Sequence, residues 1–410
     1  MIASGALSNL TILDLSRVLA GPWATQTLAD LGATVIKVES PQSGDDTRAW
    51  GPPFLDNADK SSSDAAYFTT CNRNKRSITV DFSKPEGADI LQKLAMSADV
   101  VVENFKRGGL ARYNLDYASL SAKKPEIVYC SITGFGQTGP LANLPGYDFM
   151  IQGMAGLMSI TGQPEGTPGH EPLKVGVAVC DLFTGMYAAL SILAAISHRD
   201  RTGEGQYIDC ALYDTQVAML ANQASNWLVG GLTPAPMGNS HPNLVPYRTF
   251  QASDGHLIIA CGNDDQFTRL CHALDLKPLA TDPRFLTAAD RVIHRASLET
   301  TLADTIALYA KDTVLSLLQQ HRVPCGPINT IPDVFSHHNT LSRELIQPLT
   351  RQDGTTVNTV AFPAKLSATP ATYRIAPPTL GADTEAVLRE YLEIDEITLQ
   401  KLNAEHIISS

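Results

Sequence analysis

Apolar and polar positions alternate in blocks along the first third of the chain. LTILDLS (10–16) is a short apolar run of strand length. GPWATQTLADLGA (21–33) follows at helical spacing, with Pro22 near its start and Gly32 at its end. TVIKVES (34–40) reads as a second strand, and a Gly-, Pro- and Asp-containing loop runs to about residue 65. KRSITVDF (75–82) and DVVVENF (99–105) read as strands around a helical KPEGADILQKLAMSA (84–98). EIVYCSITGFGQTGP (126–140) reads as a strand running into a Gly-rich loop. This alternation predicts βαβ units and an α/β fold, with a parallel sheet covered by helices on both faces.

Beyond residue 140 the texture changes. Residues 175–225 are Ala-rich and helical, interrupted by RDRTGEGQYIDC. GGLTPAPMGNSHPNLVPY (230–247) is a linker or binding loop. From about 247 to 320 a smaller α+β unit is expected, with strands in YRTFQASDGHLIIACG and helices over 266–275 and 296–320. RVPCGPI (322–328) is a second cluster of breakers, and DTEAVLREYL and DEITLQKLNAEH are terminal helices. The expected division is a large domain over 1–224, completed by 326–410, and a small one over 225–325.

Composition narrows the function. The chain has 410 residues and is 44% hydrophobic but only 18% charged, so much of it is buried. A net charge of −11 argues against nucleic acid as a partner. Seven scattered cysteines without a CxxC pair fit free thiols in a reducing cytoplasm, not a disulfide framework. The ten histidines have no ligand spacing, so no metal is expected. No signal or transit peptide is legible at the N-terminus. The apolar run 182–196 is too short to span a bilayer. Lengthening it through Val175–Cys180 would bury Asp181 in lipid, so no membrane partner is expected.

The turn after the first strand is SRVLAGP, with one glycine where a dinucleotide fingerprint needs several. There is no GxSxG, P-loop or HExxH. Two basic loops, NRNKRS with Arg73 and NFKRGGLARY with Lys106 and Arg112, lie at strand ends where a phosphorylated ligand would dock; solvated surface charge is the plainer reading. Asp181 stands alone in KVGVAVCDLFTGMYAALSILAAISHR. It reads either as the N-cap of a helix beginning at Leu182 or as a nucleophile or base in an apolar site with room made by Gly176 and Gly185.

LDLSRVLAGPWATQTLADLGATVIKVE, NRNKRSITVDF, SITGFGQTGP, GYDFMIQGMAGLMSITG, GVAVCDLFTGMYAALSILAA and RTGEGQYIDCALYD together resemble the family III coenzyme A transferases over nearly the whole chain. GDDTRAWGPPF, GYDFM, VPYRTF and VPCGPIN carry a closer likeness to members using succinyl-CoA and glutarate. The resemblance implies a large Rossmann-like domain, a smaller second domain and an interlocked homodimer. It implies CoA transfer from an acyl-CoA donor to a carboxylic acid, with the CoA thioester as substrate and no permanently bound cofactor. Asp181 falls on the nucleophile that forms an aspartyl anhydride and then an enzyme–CoA thioester. CoA contacts fall on Leu19, Ala20, Val80, Asp81, Phe82, Ser83, Asn104, Phe105, Lys106, Arg112, Gly146, Tyr147 and Asp148. Gly238, Asn239, Ser240 and His241 fall on a loop that covers the site. A dicarboxylate acceptor calls for a second cation, for which Arg17, Arg48, Arg73 and Arg248 qualify. Leu19 and Ser40 stand where formyl-CoA transferases carry Gln and Arg, which speaks against oxalate or formate.

Two other readings remain. A CoA-ester racemase needs a base on each face of the α-carbon. Tyr147 replaces the histidine that such enzymes carry in a GHD segment. A non-catalytic CoA-ester binder would be indifferent to Asp181.

Overall fold

A computed structural model describes residues 5–55 and 64–409. Residues 56–63, part of the loop expected up to residue 65, lie outside the described residues. The chain divides into two units: Met1–Leu157 with Lys174–Gly231 and Asn339–Ser410, and Met158–Leu173 with Leu232–His338. This differs from the expected 1–224 and 225–325. Residues 158–173 join the smaller unit because Gly162 O accepts from Gly238 N at 2.9 Å and Gln163, Pro164 and Thr167 share a cleft with Met237–Ser240.

In the larger unit, β1 (Thr11–Asp14), β2 (Thr34–Glu39), β3 (Lys75–Thr79), β4 (Val100–Glu103), β5 (Val128–Thr133) and β6 (Tyr207–Ala211) form one sheet in the order β3-β2-β1-β4-β5-β6. Every neighbouring pair is parallel. The helices on this part of the chain are α1 (Ala20–Asp30), α2 (Ala66–Thr69), α3 (Pro85–Ser97), α4 (Tyr117–Ser121), α5 (Asp148–Met154), α6 (Val179–Thr202), α7 (Leu212–Met219) and α8 (Ala221–Gly230). The two-residue strand period sorts the core. Val128, Cys130 and Ile132 pack with Leu28 of α1 and Ala188 and Ile192 of α6 on one face. Tyr129 packs on the other face with Leu91 and Leu94 of α3 and with Val387 and Leu402 from the C-terminal helices. The parallel α/β sheet is as expected.

β6 is the exception. Its residues were expected only to interrupt a helical segment, yet Tyr207–Ala211 pairs with Tyr129–Thr133 and completes the sheet. The strand order reverses between β2-β1 and β1-β4. Ligands of open parallel sheets bind outside the carboxyl ends of the strands at such a reversal.

The second unit holds β7 (Tyr247–Ala252), β8 (Gly255–Ala260) and β9 (Cys325–Pro327) in an antiparallel sheet, the last strand arising from an expected breaker cluster. Its helices are α9 (Asp264–Ala273), α10 (Ala288–Ile293), α11 (Arg295–Ile306), α12 (Lys311–Gln320) and α13 (Ile331–Ser336). The single helix expected over 296–320 is two, because Lys311 N leaves the helical ladder and donates to Asp254 Oδ1 at 2.7 Å. Phe250, Leu257, Phe267, Leu298, Leu302 and Leu318 make a core of its own.

Candidate active site at the carboxyl ends of the parallel strands

The reversal between β1 and β4 is closed by reciprocal hydrogen bonds. Arg17 N donates to Asn104 Oδ1 at 3.0 Å, and Asn104 Nδ2 returns to Arg17 O at 2.7 Å. Leu19 and Ala20 follow directly and are buried. No side chain caps α1, so its first amides keep the positive end of the helix dipole. Next to this turn, Phe82 meets Phe105 and Tyr113 edge-to-face at 5.6 and 5.3 Å, and Arg112 lies over the Tyr113 ring. These rings link the segments that follow β3 and β4; Val80 is buried, and Asp81 accepts from both Ser83 N and Ser83 Oγ. Lys106 lines a separate cleft of about 350 Å³ with Glu103, Tyr117, Tyr129 and Tyr207.

Asp181 is the third residue of α6, not its N-cap. The helix begins at Val179 because the cap comes from another element. Asp148, first residue of α5, accepts from Cys180 N at 2.7 Å and Asp181 N at 3.3 Å, and its other oxygen accepts from Gln152 Nε2. Asp148 therefore fills the capping role expected of Asp181, at a helix that starts three residues earlier than expected. Among the described residues no hydrogen bond reaches the Asp181 carboxylate. Burial, and then the like charge of Asp148, push its pKa up to about 7 from 3.8. Gly185 lies one turn on along the same stripe of α6, and a Cβ there would stand 2.6 Å from Ala20 O. Asp181 thus shares its face of α6 with the contact made by the start of α1. Gly146 packs on backbone too, since a Cβ on it would lie 2.5 Å from Gly134 Cα. Tyr147, which precedes Asp148, is 65% exposed.

Tyr67 and Trp50 were not singled out from the sequence. Burial first, and then Asp181, raise the Tyr67 hydroxyl to about 12, which places the phenol within the electrostatic reach of the nucleophile candidate. Trp50 meets Tyr67 edge-to-face at 5.3 Å. Trp50 belongs to a Pro- and Gly-containing loop without periodicity and Tyr67 to a single helical turn after it, so only their aromatic character could have drawn attention.

Two of the four candidate cations for a distal carboxylate are spent elsewhere. Arg48 is buried against Glu39 (2.7 Å) and Asp64 (2.9 Å), with its guanidinium 3.6 Å from the Phe68 ring centroid. Arg73 is buried against Asp30. These arginines brace loops and cannot turn to a ligand without leaving buried carboxylates unpaired. Arg17 is exposed, paired with Asp46 at 3.0 Å. In the second unit Arg248 donates to Glu299 at 2.6 Å, a carboxylate shared with Arg295. Gly238, Asn239 and Ser240 line a cleft of about 510 Å³ in that unit with Gln163, Arg248 and His256. His241 stands beside it, its ring 5.1 Å from Tyr247.

A turn at the strand-order reversal, a carboxylate free of hydrogen bonds among the described residues and the lack of a glycine fingerprint in the sequence fit acyl chemistry better than dinucleotide binding. A family model described as CoA-transferase family III matches residues 7–384. The chain belongs to CoA-transferase family III. As such it is a CoA-transferase, working on CoA thioesters. It is 48% identical to the succinate–glutarate CoA-transferase of Agrobacterium fabrum, over 95% of this chain and 96% of that one. It is 39% identical to the human succinyl-CoA:glutarate CoA-transferase, over 97% of this chain and 88% of that one. Among solved structures, a CaiB/BaiF family protein from Brucella suis superposes with a TM-score of 0.83 at 48% identity, covering 94% of this chain and 99% of the other.

Proposed function

We propose that this transferase moves CoA from succinyl-CoA to glutarate through covalent intermediates on Asp181. The observation that carries the reading is the Asp181 carboxylate. It is held at the start of α6 by amides that Asp148 caps, among the described residues it has no hydrogen bond, and burial pushes its pKa up to about 7. A poorly solvated carboxylate is the stronger nucleophile, and in such a site a mixed anhydride is shielded from water.

One Asp181 oxygen attacks the thioester carbonyl, the C–S bond breaks, and the CoA thiolate leaves with an aspartyl–succinyl anhydride behind it. The thiolate attacks the aspartyl carbonyl of that anhydride, releasing succinate and leaving an aspartyl–CoA thioester. A glutarate carboxylate attacks this thioester and expels the thiolate. The thiolate then takes the glutaryl carbonyl, and glutaryl-CoA departs with Asp181 restored. Leu19, Ala20, Asn104, Phe105, Phe82 and Arg112 are the proposed CoA contacts, supported by their grouping at the strand-order reversal. Tyr147 and Asp148 are proposed beside the thioester. The proposed compartment is the cytoplasm.

Asp181→Ala should fold and lose succinyl-CoA:glutarate exchange; retention of most of the activity would refute the nucleophile. With succinyl-CoA and hydroxylamine, peptide mass spectrometry should find a hydroxamate at Asp181 and nowhere else.

A further inference from the structure

The turn between β1 and α1 contains a backbone conformation that its residue resists. Val18 has φ +72°, in the left-handed region, where a β-branched side chain crowds its own carbonyl. Glycine would take this conformation freely. Three neighbours hold the valine there. Its amide donates to both oxygens of Asp45 at 3.3 Å, its carbonyl accepts from Cys71 Sγ at 3.7 Å, and Arg17 before it is pinned by Asn104. Asp45 is in turn held by Lys37, which donates to Asp45 Oδ2 at 2.8 Å and to Ser16 O at 3.1 Å. Both side chains of this ion pair are fully buried. Burial would raise the Asp45 pKa, but Lys37 and the Thr47 donors lower it to about 2, so it stays ionised.

We propose that Asp45, held by Lys37, is a positioning residue that keeps Val18 in its left-handed conformation and so sets the turn that presents Leu19 and Ala20 beside Asp181. This rests on the reading that Leu19 and Ala20 touch the acyl-CoA. The link to the nucleophile is the packing of Ala20 O on Gly185, one turn along α6 from Asp181. A turn that relaxes toward negative φ carries the start of α1 away from that contact.

The test is a double-mutant cycle on the full-length protein, reading kcat and KM for succinyl-CoA with saturating glutarate. Asp45→Ala with Lys37→Met removes the hold without leaving a buried charge alone. In the valine background kcat should fall on the order of 100-fold, the loss expected for misplacement by about 1 Å. In the Val18→Gly background the same pair of changes should cost about threefold or less, because glycine needs no hold. Equal losses in the two backgrounds would overturn the positioning role and leave Asp45 and Lys37 as structural. Should the double variant fail to fold, Asp45→Asn alone is compared across the same two backgrounds, with the same two outcomes. Wild-type protein that exchanges no CoA between succinate and glutarate would overturn this role together with the function it rests on.

Discussion

Two aspartates divide the work at the start of α6. Asp148 satisfies the amides, and among the described residues the Asp181 carboxylate is left without a hydrogen bond. The division has a pH signature. The Asp181 pKa lies at about 7, so lowering the pH through 7 protonates the proposed nucleophile. The rate of hydroxamate formation should then fall about tenfold for each further pH unit. Asp148→Asn keeps an oxygen for the Cys180 amide but deletes the like charge. Burial is the larger cause of the shift, so the acid limb should move to lower pH without reaching the ordinary 3.8. A pH profile of kcat/KM for succinyl-CoA that is identical in the two proteins would dispose of the Asp148 contribution. Stability carries the opposite sign. A carboxyl raised in the folded state takes up protons on folding, so it weakens the fold as pH rises from about 4 to 7. Asp181→Asn should therefore resist denaturant better than wild type at pH 8, with the advantage shrinking at pH 5.

Among the elements, the loops after β1 and β2 show how differently two arginines at strand ends behave. Arg48 bridges Glu39 at the end of β2 to Asp64, and Arg351 also holds Asp64. Arg48→Met strands Glu39 in the interior and should cost about 3–5 kcal/mol, seen in the denaturant midpoint. Arg17→Ala, breaking a pair with both side chains about half exposed, should cost at most about 1 kcal/mol. Sequence alone could not separate them, since each follows a predicted strand in a loop without periodicity. The strands β1 to β5 and helices α1, α3 and the last two helices were legible because each buries a regular apolar stripe. β6 was not, because only Cys210 and Ala211 of its five residues are buried. The hairpin of β10 (Ile346–Thr350) and β11 (Thr356–Val360) also went unread, although Asp353–Gly354 between alternating residues is a turn signal. At the site, Asp181 was visible as a lone acid in an apolar run, and family motifs pointed to the role proposed for it. Its release from capping was not visible, because Asp148 lies 33 residues away and only the fold brings the two together.

For the whole molecule, α6 poses the largest remaining question. By length and composition it could cross a bilayer. One stripe, with Cys180, Thr184, Ala188 and Ile192, is core against α1 and the sheet. Its other side leaves Phe183, Met186, Tyr187 and Leu190 between 45 and 61% exposed, and Leu228 and Val229 at the end of α8 are 78 and 88% exposed. Apolar surface on this scale is rarely left in water. We propose that a second copy covers it, as the expected interlocked dimer would. Light scattering after size exclusion should then give twice the 44.1 kDa chain mass at micromolar concentration. Leu190→Glu with Val229→Glu should abolish or weaken that dimer, since a charge in an apolar interface stays desolvated without a partner. Interlocked chains cannot part without opening, so wild-type dimer should exchange subunits with a tagged copy slowly, on the timescale of unfolding. Exchange within seconds would mean a face-to-face dimer instead, and a monomeric wild type would mean that something other than a second copy covers α6.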